Sequence, residues 1–227
     1  NNLSIGHATG TGFIASTPVS DLNISENANG GESVGFVVPT DPDAPQDVVN
    51  DGLFLEAADP GTYTVYTTGQ SIGDWTVESG NATLIGSHWE ESPLGGRSIH
   101  LTGSGVNGVI SQTLSVEAGR QYQVVFSVSG NFVGGDSVKD FRVSADGQAV
   151  DMSITEPPNW SNSNMLWEQR SFTFTADDAS AALRFASLDT GNTAAIADVQ
   201  VIEIPPAVST ILNNDPTLSY DAATGKF

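Results

Sequence analysis

The chain of 227 residues contains no cysteine. Disulfide bonds, thiol chemistry, cysteine-ligated zinc and iron–sulfur clusters are therefore excluded. No apolar run approaches the roughly 20 residues that a helix needs to cross a bilayer. Apolar residues also never recur at helical spacing over a useful length, so the sequence predicts almost no helix.

Basic residues are scarce as well. Seven Lys and Arg stand against 27 Asp and Glu, which gives a formal net charge of −20, and the first 96 residues hold 13 acidic residues and no basic one. A field of this sign repels nucleic acid and anionic membranes, so we expect neither nucleic-acid binding nor membrane insertion. It attracts divalent cations, and we expect Ca²⁺ to stabilise the fold. The alternative is the solvated acidic surface of a halotolerant protein.

Short alternating segments closed by Gly, Asn or Asp turns fill the middle of the chain. In the clearest one, apolar residues fall at every second position and polar residues lie between them, at Tyr122, Val124, Phe126 and Val128. A period of two is typical of half-buried strands in a β-sandwich, so the sequence predicts an all-β fold. The dipeptide Asp146-Gly147 predicts a tight β-hairpin.

The order of these segments resembles the choice-of-anchor C family, bacterial and plant domains with a galactose-binding-like jelly roll. The resemblance covers roughly residues 51–203, and its best-matched pieces are Gly73–Val77, Ile110–Leu114 and Phe172–Ala176. It implies a jelly-roll β-sandwich over residues 48–204. It also implies a module of a large secreted bacterial adhesin of the RTX type, with neighbouring domains in the same chain.

The two flanks, residues 1–47 and 205–227, are too short to bury a core alone. Residues 19–43 are similar to the opening of bacterial cadherin-like repeats, and the matching residues are Glu26, Asn27, Val34, Gly35, Asp41, Pro42 and Asp43. Because jelly rolls bring their first and last strands together, we expect the flanks to form one smaller split β domain. The alternative is that each is a linker or part of a neighbouring domain. The chain lacks an initial Met and a signal peptide, so we expect a piece of a longer secreted or cell-surface protein.

The resemblance also implies metal sites. Domains of the galactose-binding type hold a structural calcium where the first and last strands meet, and Glu56 and Asp198 are the carboxylates that remain there, with Ala197 at a position that the family fills with an acid. Glu26, Asp41 and Asp43 match positions that bind calcium between cadherin-like repeats. Solvated carboxylates are the alternative at both places.

Two tryptophans, Trp89 and Trp160, lie in polar loops where a buried ring is not required. An exposed indole suits stacking against a sugar, so we expect a binding platform there. The expected hydroxyl partners are His88, Arg97, Asn131 and Asn159. The alternative is that these rings cap the ends of the sandwich.

No catalytic pattern surrounds His7, His88 or His100, and His100 alternates with Ile99 and Leu101 as a strand residue does. We therefore expect a binding protein and not an enzyme. The favoured function is a carbohydrate-binding, lectin-like module that acts as a monomer on a neutral sugar of a host or neighbouring cell. A calcium-rigidified spacer without a ligand, and an accessory module beside a glycan-processing domain, are the alternatives.

Overall fold

The computed structural model describes residues 46–101, 107–133, 136–189 and 192–205 of the chain. Within these ranges there is no helix, and hence none long and apolar enough to span a membrane. The split domain predicted from the two flanks lies almost wholly outside them. Twelve strands are present: β1 (Tyr63–Thr67), β2 (Ser71–Ile72), β3 (Trp75–Ser79), β4 (Asn81–Ile85), β5 (Ser98–His100), β6 (Val109–Ser115), β7 (Gln121–Gly130), β8 (Val138–Ala145), β9 (Gln148–Thr155), β10 (Glu168–Thr175), β11 (Ser180–Ser187) and β12 (Ala194–Ile204).

The strands form two antiparallel sheets of six. The first sheet has the order β1-β4-β5-β12-β7-β10 and the second has the order β2-β3-β6-β11-β8-β9. Their inner faces pack together into one core, in which the ring of Phe126 from the first sheet lies 5.1 Å from that of Phe185 in the second. The all-β sandwich predicted from the sequence is confirmed.

Strand periodicity accounts for this core. Tyr122, Val124, Phe126 and Val128 of β7 are buried at 2% exposure or less, as their alternation predicts. The predicted hairpin joins β8 to β9, where Asp146 (φ 49°) and Gly147 (φ 74°) form the two-residue turn. Positive φ at both positions is what a two-residue turn needs to match the twist of its strands.

The first and last segments of the domain run side by side, as predicted for a jelly roll. Asp47 pairs with Ile202 of β12 in an isolated bridge, and the Val48 N–H donates to the Val201 carbonyl at 2.8 Å. Further along, the Val199 N–H donates to the Gly52 carbonyl at 3.0 Å. The first described segment, residues 47–52, therefore lies alongside β12, the last strand.

Candidate functional site

The central part of the outer face of the first sheet, which points away from the core, is itself buried. Its buried members come from four neighbouring strands and, apart from Ile85, are small or polar: Thr83, Ile85, Ser98, His100, Ser127, Ser129, Ala195 and Ala197. A sheet face buried in this way must be covered. Two long loops lie over it: residues 86–97, here called the β4–β5 loop, and residues 156–167, the β9–β10 loop.

Trp89 anchors the β4–β5 loop to this face. Its side chain is 5% exposed and packs with Ile85, Met165 and Ala195 in a small apolar cluster separate from the main core. The ring also meets His100 edge-on at 5.3 Å. The expectation that Trp89 is exposed was wrong, because apolar partners cover the ring, and two of them, Met165 and Ala195, are distant in sequence. Trp160 and Trp167 are half-buried against the same cluster.

Hydrogen bonds join the two loops. The Glu90 N–H donates to the Asn162 carbonyl at 2.7 Å, and Glu90 Oε2 accepts from the Met165 N–H at 2.8 Å. The Ser129 hydroxyl donates to the Met165 carbonyl at 2.6 Å, which fixes the β9–β10 loop to β7. The junction of the loops is thus a preformed part of the fold.

Asp198 of β12 holds the second half of the β4–β5 loop through hydrogen bonds to Ser92 and Leu94. A β-bulge in β12 places this residue at φ 51°. Its buried carboxylate accepts from the hydroxyls of Ser92 at 2.5 Å and Ser127 at 2.9 Å, and from the Leu94 N–H at 3.4 Å. Both oxygens are therefore occupied by groups of the protein.

An open cleft of about 510 Å³ lies where the two loops meet. Its lining residues are Ser87, His88, Trp89, Glu90, Ser161, Asn162 and Ser163. The volume falls within the range of small-molecule sites. Hydroxyls, an amide and an imidazole beside an indole are groups that can bind a polyhydroxylated ligand.

The β9–β10 loop contains buried polar atoms that lack a hydrogen-bond partner in the described structure. Trp160 Nε1, Trp167 Nε1 and Asn162 Oδ1 are buried without a hydrogen-bond partner in the described structure. A buried donor or acceptor without a partner costs about 1–3 kcal/mol. Departures of this kind from local consistency are expected at functional sites. Asn162 lines the cleft, and Trp160 and Trp167 pack against the cluster that contains Trp89.

The structure brings together only some of the predicted ligand-binding residues. His88 and Trp89 line the cleft, and Trp160 lies beside it. Asn159 is exposed at a turn of the β9–β10 loop with φ 68°. The Arg97 guanidinium binds the Ala57 carbonyl at 2.9 Å, and Asn131 binds Asn192, so neither side chain faces the cleft.

Five lining residues were missed by sequence reasoning: Ser87, Glu90, Ser161, Asn162 and Ser163. The density of Ser and Asn next to each loop tryptophan was the available signal. It could not be used, because nothing in the sequence indicates that the two loops meet.

Two of the five predicted metal residues, Glu56 and Asp198, lie among the described residues. Glu26, Asp41 and Asp43 lie outside the described residues, Glu56 is exposed, and both Asp198 oxygens accept hydrogen bonds. No group of three or more His, Asp and Glu able to hold a metal occurs within the described ranges. The calcium site expected at Glu56 and Asp198 therefore stays a prediction.

Asp51 is a half-buried acidic residue whose two carboxylate oxygens differ in their hydrogen bonding. Its Oδ1 accepts from the N–H groups of Leu55 and Glu56, whereas its Oδ2 is buried without a partner in the described structure. Burial raises the pKa of the Asp51 carboxyl, and the neighbouring Asp74 carboxylate raises it further.

The sequence profile of a family described as "Protein of unknown function (DUF642)" matches residues 47–200, the stretch that forms the sandwich and both loops. The chain belongs to the DUF642 family. The choice-of-anchor C resemblance fell on the same stretch. The jelly-roll fold that it implied is borne out, whereas the adhesin and cadherin-like context stays a hypothesis.

One relative of this DUF642 segment is halomucin of Haloquadratum walsbyi, which is 31% identical over 167 residues. The match covers 71% of this chain and 2% of halomucin, so the chain spans a very small part of that relative. Among solved structures, the CBM22-1 xylan-binding domain of Paenibacillus barcinonensis Xyn10C has 16% identity and a TM-score of 0.43, and covers 66% of this chain and 100% of that one. A family 35 carbohydrate binding module from Clostridium thermocellum has 12% identity and a TM-score of 0.35, and the match covers 61% of this chain and 90% of that one.

Proposed function

We propose that this chain is a carbohydrate-binding, lectin-like module and that the cleft between the two loops receives a neutral glycan. The observation that carries the proposal is the lining of the cleft, which combines three serines and Asn162 with His88 and Trp89. A sugar ring has hydroxyl groups at its edge and C–H groups on its faces. Hydrogen-bonding side chains beside an aromatic wall match both.

The charges near the cleft favour a neutral ligand. Its lining contains one carboxylate, Glu90, and neither Lys nor Arg. Sulfated or uronic sugars are bound best by Arg or Lys, through charge-assisted hydrogen bonds. The net charge of −20 would also repel them on approach.

The test blocks the cleft without disturbing the core. Ser163 is exposed at the cleft, so Ser163→Trp should fill it at little cost in stability. Ser153→Trp is the matched control, because Ser153 is exposed on β9 of the other sheet. We expect gels containing soluble arabinogalactan, xylan, dextran or β-glucan to retard the wild type and Ser153→Trp on at least one polysaccharide, whereas Ser163→Trp migrates freely with an unchanged Tm.

Equal retardation of Ser163→Trp and the wild type would place any sugar site elsewhere. A wild type that none of these polysaccharides nor a glycan array retains would contradict the proposal and favour the spacer function. Trp89→Ala is unsuitable for this test, because removing a buried Trp costs about 3–5 kcal/mol.

The wider context is also a proposal. We infer that the module acts as a monomer in a longer secreted or cell-surface protein that attaches to glycans, as the RTX-type adhesin resemblance implies. A match of 167 residues within a far longer relative supports a modular arrangement. Binding of Ca²⁺ belongs to the same proposal and is supported by the excess of carboxylates.

A further inference from the structure

Two exposed side chains of strand β1, Tyr63 and Val65, form an apolar surface on the side of the sheet that holds the cleft. This surface is here called the ledge. It lies at the edge of the first sheet and pairs with β4 in the register Tyr63↔Ile85 and Val65↔Thr83. Paired residues of an antiparallel ladder share a face, so Tyr63 and Val65 lie on the outer face with Ile85. Their side chains are 52% and 50% exposed.

Tyr63 is continuous with the cleft through His88. The two ring centroids are 5.4 Å apart and the rings meet edge-on at 66°, and the His88 ring lies 6.0 Å from that of Trp89. His88 thus has Tyr63 on one side and the wall of the cleft on the other. Tyr63 was not singled out from the sequence, where its strand reads as a short polar and aromatic segment.

The backbone fixes this arrangement. The Gly86 N–H donates to the Thr62 carbonyl at 3.0 Å, and the Ser87 N–H donates to the Gly61 carbonyl at 2.9 Å. A Cβ at Gly86 would lie 2.2 Å from the Gly61 carbonyl oxygen, so only glycine permits this approach. The start of the β4–β5 loop is therefore tied to the start of β1, and the ledge and cleft are preorganised relative to each other.

We infer that Tyr63 and His88 form an aromatic subsite that extends the cleft across β1, so that the site binds an internal stretch of a neutral polysaccharide and not a single terminal sugar. This inference rests on the proposed function. One sugar unit occupies the hydroxyl-lined cleft, and the next unit places its C–H face on the Tyr63 ring. A half-exposed aromatic ring beside an open cleft is accounted for by such stacking.

A polysaccharide suits this surface better than a charged partner does. Tyr63, Val65 and His88 carry no carboxylate, Lys or Arg, and Glu90 is the one charged side chain in the described lining of the cleft. His88 contacts Tyr63 and also lines the cleft. A neutral chain with alternating hydroxyl edges and C–H faces can lie along both.

The experiment measures affinity against ligand length in the full chain. Isothermal titration would use oligosaccharides of one to six units, prepared from the neutral polysaccharide that retards the wild type. The variants are Tyr63→Thr, which removes the ring and keeps a residue that favours strands, and Tyr63→Phe, which keeps the ring. Ser163→Trp serves as the blocked-cleft reference.

We expect wild-type affinity to rise with ligand length. Tyr63→Thr should bind the longer oligosaccharides about tenfold more weakly and the monosaccharide as the wild type does, and Tyr63→Phe should bind all of them like the wild type. If Tyr63→Thr binds the longer oligosaccharides normally while Ser163→Trp binds none, the subsite is wrong and the proposed function stands. Equal losses for monosaccharide and oligosaccharides in Tyr63→Thr would overturn the extended ligand. If the wild type binds no polysaccharide, both proposals fail.

Discussion

The imidazole of His100 lies in β5 against Trp89, where its Nε2 accepts a hydrogen bond from the Thr193 N–H at 3.1 Å. Burial, together with the nearby Lys139 and His88, lowers the pKa of His100 from 6.5 to about 3. The ring is therefore neutral in the native protein at pH values well above 3. Its position in a strand, expected from the alternation with Ile99 and Leu101, is confirmed.

This pKa makes stability fall in acid. Between pH 6.5 and about 3 the unfolded chain binds a proton at His100 that the folded chain does not. The His100 contribution is complete above pH 6.5 and is lost as the pH falls, by about 1.4 kcal/mol per pH unit. His100→Gln keeps an acceptor for Thr193 and cannot titrate in this range. Urea unfolding should therefore show the wild type losing about 2 kcal/mol more than His100→Gln between pH 7 and pH 5. Parallel pH profiles would contradict this prediction.

At the scale of the element, the bulge in β12 decides how the β4–β5 loop is held. Without the register shift after Ala197, the next side chain would continue the simple alternation of the strand. The bulge instead directs the Asp198 carboxylate to Ser92 and Ser127. One irregular residue thus connects the central strand of the first sheet to the loop that forms one wall of the cleft.

Asp198→Ala should destabilise the protein by about 2–4 kcal/mol, because two buried hydroxyls lose their acceptor. Hydrogen exchange should accelerate in the β4–β5 loop more than in the β8–β9 hairpin. Asp198→Asn, which tolerates positive φ and retains an acceptor oxygen, should lose less. Asp151→Ala is the control, since its ion pair with Arg142 is exposed and should change Tm little. A uniform rise in exchange across the domain would show that Asp198 does not act on this loop in particular.

The whole molecule carries far more negative than positive charge, and this repulsion opposes the compact state. Sodium chloride should therefore raise Tm by screening the repulsion. A specific calcium site predicts an additional effect at constant ionic strength. A site occupied at 100 times its dissociation constant adds about 2.7 kcal/mol.

The measurement is a set of melting curves of the full chain in EDTA, in millimolar Ca²⁺ and in millimolar Mg²⁺, all adjusted with NaCl to one ionic strength. We expect a rise of several degrees in Ca²⁺ alone. Coincident curves would reject a calcium site and leave the acidic surface as a solvation feature. If Asp51 contributes a ligand, Asp51→Asn should remove the calcium effect while the response to NaCl persists.

Local sequence patterns determined much of this fold. The alternation in β7 and the Asp146-Gly147 turn can both be read from neighbouring residues. Burial of every second residue requires only that one face of a strand meets a core. Gln112 shows the limit of this reasoning. The segment Ile110–Leu114 marked the family resemblance, but only the structure shows that the Gln112 amide binds both the N–H and the carbonyl of Asn50, each at 2.7 Å.

The site was decided by tertiary structure. The residues around Trp89 are polar, which indicated an exposed ring, yet the ring is buried by Ile85, Met165 and Ala195. Those contacts exist because the register of β4, β5 and β12 places small side chains on the outer face and two loops cross over it. The cleft is made from residues more than 70 positions apart, and β1 adds Tyr63 from a third segment. Composition alone indicated an acidic, cysteine-free chain. Which side chains meet was set by long-range strand pairing, which no local pattern encodes.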